Sequence, residues 1–126
     1  MLFHCFNDII TYYMLYGLED KEIEKIRAVI SKCEKVEKAV LYGSRSRGNY
    51  KPFSDIDITL IGSELQRYDR NSIVLELDDL LLPYEFDISL FNSINNQELK
   101  HIISREGIVI YQKETTKLKD LSCAHD

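Results

Sequence analysis

Hydrophobic and polar positions recur along this chain in two periods, and the switches between them outline its elements. Ile23, Ile26, Ile30 and Cys33 come at spacings of three and four with charges between them, and Asp20 stands where a cap belongs, which predicts an amphipathic helix over 20–34. Lys38-Ala-Val-Leu-Tyr42 is short, apolar and stopped by Gly43, the pattern of a buried strand. From Ser44 to Ser54 the chain turns polar and is punctuated by Gly48 and Pro52, so it reads as a loop with room for one helical turn. Asp55-Ile-Asp-Ile-Thr-Leu-Ile61 then alternates strictly and meets Gly62, as a second strand would.

Further on, Ile73, Leu77, Leu80 and Leu81 give one face of a helix over 69–82, ended by Pro83. Tyr84-Glu-Phe-Asp-Ile-Ser-Leu90 alternates as a third strand, with Phe86, Ile88 and Leu90 on one side and Glu85, Asp87 and Ser89 on the other. Asn95, with Glu98 three residues on, predicts the start of a helix carrying Leu99, Ile102 and Ile103 and closed by Gly107. Ile108–Gln112 is a short last strand. This order predicts an α+β fold: a small mixed β-sheet with helices packed on one face, and the carboxylates on the other.

Composition sets the scale. The chain has 126 residues, 44% apolar and 29% charged, which suits one globular domain and leaves little material for a second that could hold a bulky substrate. Met14 opens a stretch that reads as a natural beginning, so residues 1–16 are expected to be an extension, 17–113 the domain and 114–126 a flexible tail. No apolar run reaches the roughly 18 residues of a membrane span. Residues 1–18 lack a basic start and are broken by His4, Asn7, Asp8 and Gly17, which argues against a secretory signal. Cys5, Cys33 and Cys123 are isolated and form neither a disulfide framework nor a zinc site, as fits a reduced, cytoplasmic setting. The net charge of −5 argues against non-specific binding to nucleic acid.

The chemistry gathers in two places. Residues two apart on a strand point the same way, so Asp55 and Asp57 project side by side while Ile56 and Ile58 enter the core. Adjacent carboxylates repel, and a divalent cation, Mg²⁺ above all, is a common way to hold them ionised. Asp87 sits at a matching position on the third strand, so if the two strands pair, a third acid joins, and three acids can carry two metals about 3.5–4 Å apart. Upstream, Gly43 and Ser44 follow a strand directly and lead into a loop carrying Arg45, Arg47 and Lys51. Backbone amides after such a glycine, the Ser44 hydroxyl and a guanidinium can grip a polyphosphate. Asp55 and Asp57 alone would be read as a solvated strand face, and the basic residues alone as a solubilising loop; their combination points to phosphoryl chemistry. A serine nucleophile is disfavoured, because no motif places His4, His101 or His125 beside Ser44.

Leu41-Tyr42-Gly43-Ser44, ten residues, then Asp55-Ile56-Asp57-Ile58 resembles the signature of the polymerase-β-type nucleotidyltransferase superfamily. Gly43-Ser-Arg-Ser-Arg-Gly48 with Ser54-Asp-Ile-Asp57 is most similar to its minimal nucleotidyltransferases, the MNT proteins, over residues 17–113. The resemblance implies that Asp55 and Asp57 bind two Mg²⁺, that Asp87 binds one and helps to deprotonate the attacking hydroxyl, and that Ser44 and its amide hold the triphosphate of ATP. It also implies an acceptor supplied in trans. MNT proteins are typically paired with a helical HEPN protein, often a ribonuclease toxin, and some neutralise it as antitoxins by transferring AMP to a HEPN tyrosine. Two alternatives stay open: a non-catalytic antitoxin that binds nucleotide and neutralises by complex formation, and transfer to RNA or a small hydroxylated molecule.

Overall fold

The computed structural model describes residues 14–114; expectations for 1–13 and 115–126 lie outside the described residues. A two-residue hairpin, β1 (Met14–Leu15) with β2 (Leu18–Glu19), leads directly into helix α1 (Asp20–Ser31). Residues 14–16, expected to belong to an extension, therefore enter the folded unit, and Tyr16 packs against the core. Strand β3 (Lys38–Tyr42) is followed by the single turn α2 (Ser44–Arg47), strand β4 (Ile56–Ile61), helix α3 (Arg67–Asp78) and strand β5 (Phe86–Leu90). A 3₁₀ turn (Phe91–Ser93), helix α4 (Gln97–Glu106) and strand β6 (Ile108–Gln112) complete the domain.

The sheet runs β5-β4-β3-β6, with β3 antiparallel to both of its neighbours and β4 parallel to β5 across the α3 crossover. Alternation sends Ile56, Ile58 and Leu60 of β4 and Ala39 and Leu41 of β3 into one core. There they meet Ile23, Ile26, Val29 and Ile30 of α1 and Ile73 and Leu77 of α3. At roughly 25 cal/mol per Å² of apolar surface removed from water, this face is the main source of stability. The expected α+β architecture is present, with one addition. Helix α4 reaches the sheet from Val40, on the opposite face: Val40 and Ile103 are buried outside the main core, and a Cβ on Gly107 would lie 2.5 Å from Val40 Cγ1.

The longer helices differ from the sequence reading at their ends, and a capping side chain accounts for each start. Helix α1 is capped by Glu19 and Glu22, which accept reciprocally from each other's backbone, rather than by Asp20, and it stops at Ser31. Helix α3 starts two residues earlier than expected because Gln66 and Asp69 form the same kind of box, and it ends at Asp78. Leu81 thus falls beyond the helix, adopts φ +58° and is 87% exposed, so it does not extend the apolar face. Helix α4 is capped by Asn96, not Asn95: its Oδ1 accepts from the Leu99 amide at 3.1 Å.

Candidate active site

On the sheet face away from the main core, pairing lines up one row of side chains. Tyr42 of β3 is the register partner of Asp57 of β4, and Asp57 is the partner of Asp87 of β5. Parallel pairing keeps side chains of partnered residues on the same face, so the two carboxylates stand next to each other by backbone geometry. Asp57 is half-buried and Asp87 exposed. Burial pushes the Asp57 carboxyl above its ordinary value; the charges of Asp87 and Asp55 and a hydrogen bond with Asp87 act in the same direction, with Arg45 the one opposing influence. The row below holds Thr59 and Ser89, also register partners, whose hydroxyls bond at 2.9 Å beneath the acids. Burial likewise raises the Tyr42 phenol, opposed by a hydrogen bond with Ser89 and aided by the charges of Asp87 and Asp57.

Asp55 precedes β4 and is exposed; it adds charge to the pair. Among the described residues, no three His, Cys, Asp or Glu side chains close on a common point as a metal-binding group does. The structure thus brings Asp57 and Asp87 together and leaves Asp55 at the foot of the strand. This donor set still fits a hard dication: its oxygens are carboxylates, and among the described residues Arg45 is the one cation that relieves their repulsion at Asp57.

The turn after β3 lies against the same acids. Gly43 has φ +82°, and a Cβ there would sit 2.6 Å from Asp57 Oδ2, so only glycine permits this close approach. Helix α2 begins at the next residue. The Arg47 amide donates to Gly43 O at 3.2 Å, while the amides of Ser44, Arg45 and Ser46 lack acceptors within α2, as the first donors of any helix do. Ser46 Oγ closes the turn by donating to Gly43 O at 3.0 Å. The Ser44 hydroxyl and these amides therefore stand one to three residues from Gly43, on whose open side the Asp57 carboxylate rests.

The basic residues divide. Arg47 is half-exposed and makes a loose ion pair with Glu106 at 3.7 Å, which leaves its guanidinium free to move to a ligand. Lys51 is exposed. Arg45 differs from its expected role as a phosphate contact. It is 1% exposed, and its guanidinium is occupied by main-chain carbonyls: Nε and Nη2 donate to Ser54 O at 3.2 and 2.8 Å, Nη2 to Pro52 O at 3.4 Å and Nη1 to Tyr16 O at 2.9 Å. The rings of Tyr84 and Tyr50 lie 4.9 and 5.5 Å from its Cζ, and Tyr84 Oη in turn donates to the Glu22 carboxylate. Arg45 thereby fastens the segment leading to Asp55 and Asp57 onto the hairpin at Tyr16. No charge or spacing pattern in the sequence distinguishes this arginine from Arg47; only the packing does.

This geometry has relatives. Residues 24–116 match the family described as Polymerase beta, Nucleotidyltransferase, and the chain belongs to that family. A candidate protein adenylyltransferase of Methanocaldococcus jannaschii is 32% identical over 102 residues, covering 74% of this chain and 98% of that one. The fold is shared with a crystal structure of a toxin–antitoxin with AMP-PNP, at 21% identity, TM-score 0.61 and coverage of 82% of this chain and 86% of that one. It is also shared with the MntA–HepT toxin–antitoxin, at 18% identity, TM-score 0.57 and coverage of 85% and 87%. A third structure is a tri-AMPylated Shewanella oneidensis HEPN toxin in complex with its MNT antitoxin, at 19% identity, TM-score 0.55 and coverage of 82% and 84%. Among the described residues no helix is long and apolar enough to cross a membrane.

Proposed function

We propose that the protein transfers AMP from ATP, with Mg²⁺ as cofactor, to a tyrosine hydroxyl of a HEPN-type partner, and acts in the cytoplasm as the antitoxin of a toxin–antitoxin pair. The observation that carries this reading is the registered Asp57–Asp87 pair beside the Gly43–Ser44 turn. Two relatives support it: the candidate protein adenylyltransferase of Methanocaldococcus jannaschii, and the MNT antitoxin found in complex with a tri-AMPylated HEPN toxin.

Asp55, Asp57 and Asp87 are the residues that would hold Mg²⁺, which when bound neutralises charge on the phosphates of the donor. Ser44 Oγ and the first amides of α2 grip the triphosphate, and Arg47 is the guanidinium free to meet the departing pyrophosphate. Asp87 faces the entering hydroxyl and takes or orients its proton. Most of the rate comes from position and fixed charge, as is usual where a phosphoryl group is transferred.

The test is the intact mass of the partner after incubation with ATP and Mg²⁺. Wild-type protein is expected to add AMP increments to it, and Asp55→Asn/Asp57→Asn to add none and to fail to neutralise toxicity. Should the double variant neutralise as well as wild type, the partner is restrained by binding alone.

A further inference from the structure

Strand β5 is an edge of the sheet, and beside it lies an open groove of about 580 Å³ between the first turn of α3 and the 3₁₀ turn. Asp87 and Ser89 form one wall, and Gln66, Arg67 and Arg70 the other. Arg70 is held in place, with Nη1 donating to Ile88 O at 3.0 Å and Nη2 to Asn71 Oδ1 at 2.7 Å. That bond occupies an outward carbonyl of the edge strand and so discourages another strand from adding there, leaving side-chain recognition as the mode of binding. Arg67 is exposed. Apart from Asp87, no carboxylate of the described residues lines the groove, which is a local reversal of charge in a chain of net −5.

Displacement in line places the entering and leaving oxygens on opposite sides of the phosphorus. The phosphate grip is at α2, which follows β3, while Asp87 stands on β5, on the far side of Asp57. A hydroxyl arriving opposite the departing pyrophosphate therefore comes from the β5 side, where the groove opens at Asp87. We propose that this groove seats the acceptor segment, and that Arg67 and Arg70 select one carrying carboxylates beside the reactive hydroxyl. The inference rests on the transfer reading above and adds the chemical class of the acceptor.

Three tyrosine peptides alike except for glutamate, alanine or lysine flanks, and a short RNA with a free 3′ hydroxyl, are offered with labelled ATP and Mg²⁺. Wild type is expected to favour the glutamate-flanked over the lysine-flanked peptide about tenfold in kcat/KM, equivalent to about 1.4 kcal/mol. Arg67→Glu is expected to shrink that ratio to about threefold or invert it, and Arg70→Gln, which keeps a donor for Ile88 O, to shrink it in part. Lys32→Glu changes the charge equally at a remote surface pair with Glu76 and is expected to keep the preference. Equal labelling of all three peptides, or a preference that Arg67→Glu leaves intact, overturns the groove while the transfer reading stands. Label in the RNA alone, while Mg²⁺ and AMP-PNP still bind by calorimetry, overturns both, and label in none of the peptides while the partner protein gains AMP overturns the groove alone.

Discussion

Replacing Arg45 by alanine tests the reassignment of this residue from phosphate ligand to fastener. The side chain is 1% exposed and donates to three carbonyls, those of Tyr16, Pro52 and Ser54, between two tyrosine rings. A buried acceptor stranded without a partner costs about 1–3 kcal/mol, and each ring contact contributes about 0.5–2 kcal/mol. Relief of the buried charge offsets part of that loss, so the net destabilisation is expected near 3–5 kcal/mol, the range for breaking a buried charged contact. For a domain of this size the thermal midpoint falls by about 12–20 °C. Arg45→Lys keeps the charge but only one compact donor group, and is expected to cost about half as much. Calorimetric unfolding measures both. A midpoint for Arg45→Ala within about 3 °C of wild type, with nucleotide binding lost, would return Arg45 to the phosphates and refute the reasoning.

Other expectations follow from the same geometry. In metal-free protein the folded-state value of Asp57 is raised, so its contribution to stability is fully present below the unfolded carboxylate range and is lost as pH rises through the folded value. Asp57→Asn is therefore expected to unfold at a higher temperature than wild type at pH 7 and the same temperature near pH 3, while transfer falls by at least about 10²–10³-fold. Thermal scans across that pH range, read beside AMP transfer, check both halves. Gly43→Ala places a methyl group against Asp57 Oδ2 at a positive φ; it is expected to cost about 1–2 kcal/mol in denaturant unfolding and to abolish transfer. Ser44→Ala is expected to weaken AMP-PNP binding by roughly tenfold in calorimetry, the loss of one hydrogen bond to a charged group, with stability unchanged. Chelation of Mg²⁺ is expected to stop transfer, and its return to restore it.

How much of this was legible in the sequence depends on range. Alternation showed that Asp87 and Phe86 face opposite ways, and the strict periods of β4 and β5 gave their faces. It could not show that β4 and β5 pair in parallel with Asp57 opposite Asp87, because register is fixed by the crossover through α3 and by the buried Ile56, Ile58 and Ile88. The surroundings of Arg45 are not legible for a physical reason: composition marks a guanidinium as positive, while its packing depends on three carbonyls brought together from residues 16, 52 and 54. The sequence marks Tyr42 only as the end of a buried strand. Its place in the row of acids follows only once β3 and β4 are paired in antiparallel order. The start of α3 lies two residues before the first apolar position would put it because Gln66 and Asp69 act as a box, a pattern that the apolar spacing does not reveal.

The Tyr16 carbonyl has a practical consequence for anyone defining the smallest active fragment. The stretch that matches the nucleotidyltransferase family begins at residue 24, eight positions after the carbonyl that receives Arg45 Nη1. A piece cut at the family boundary would keep Asp55, Asp57, Asp87 and the Gly43–Ser44 turn, yet lose the Glu19–Glu22 cap of α1 and release one tether of the segment that leads to the first two acids. Fragments meant for assay are best begun upstream of Met14, so that the hairpin folds with the domain it braces.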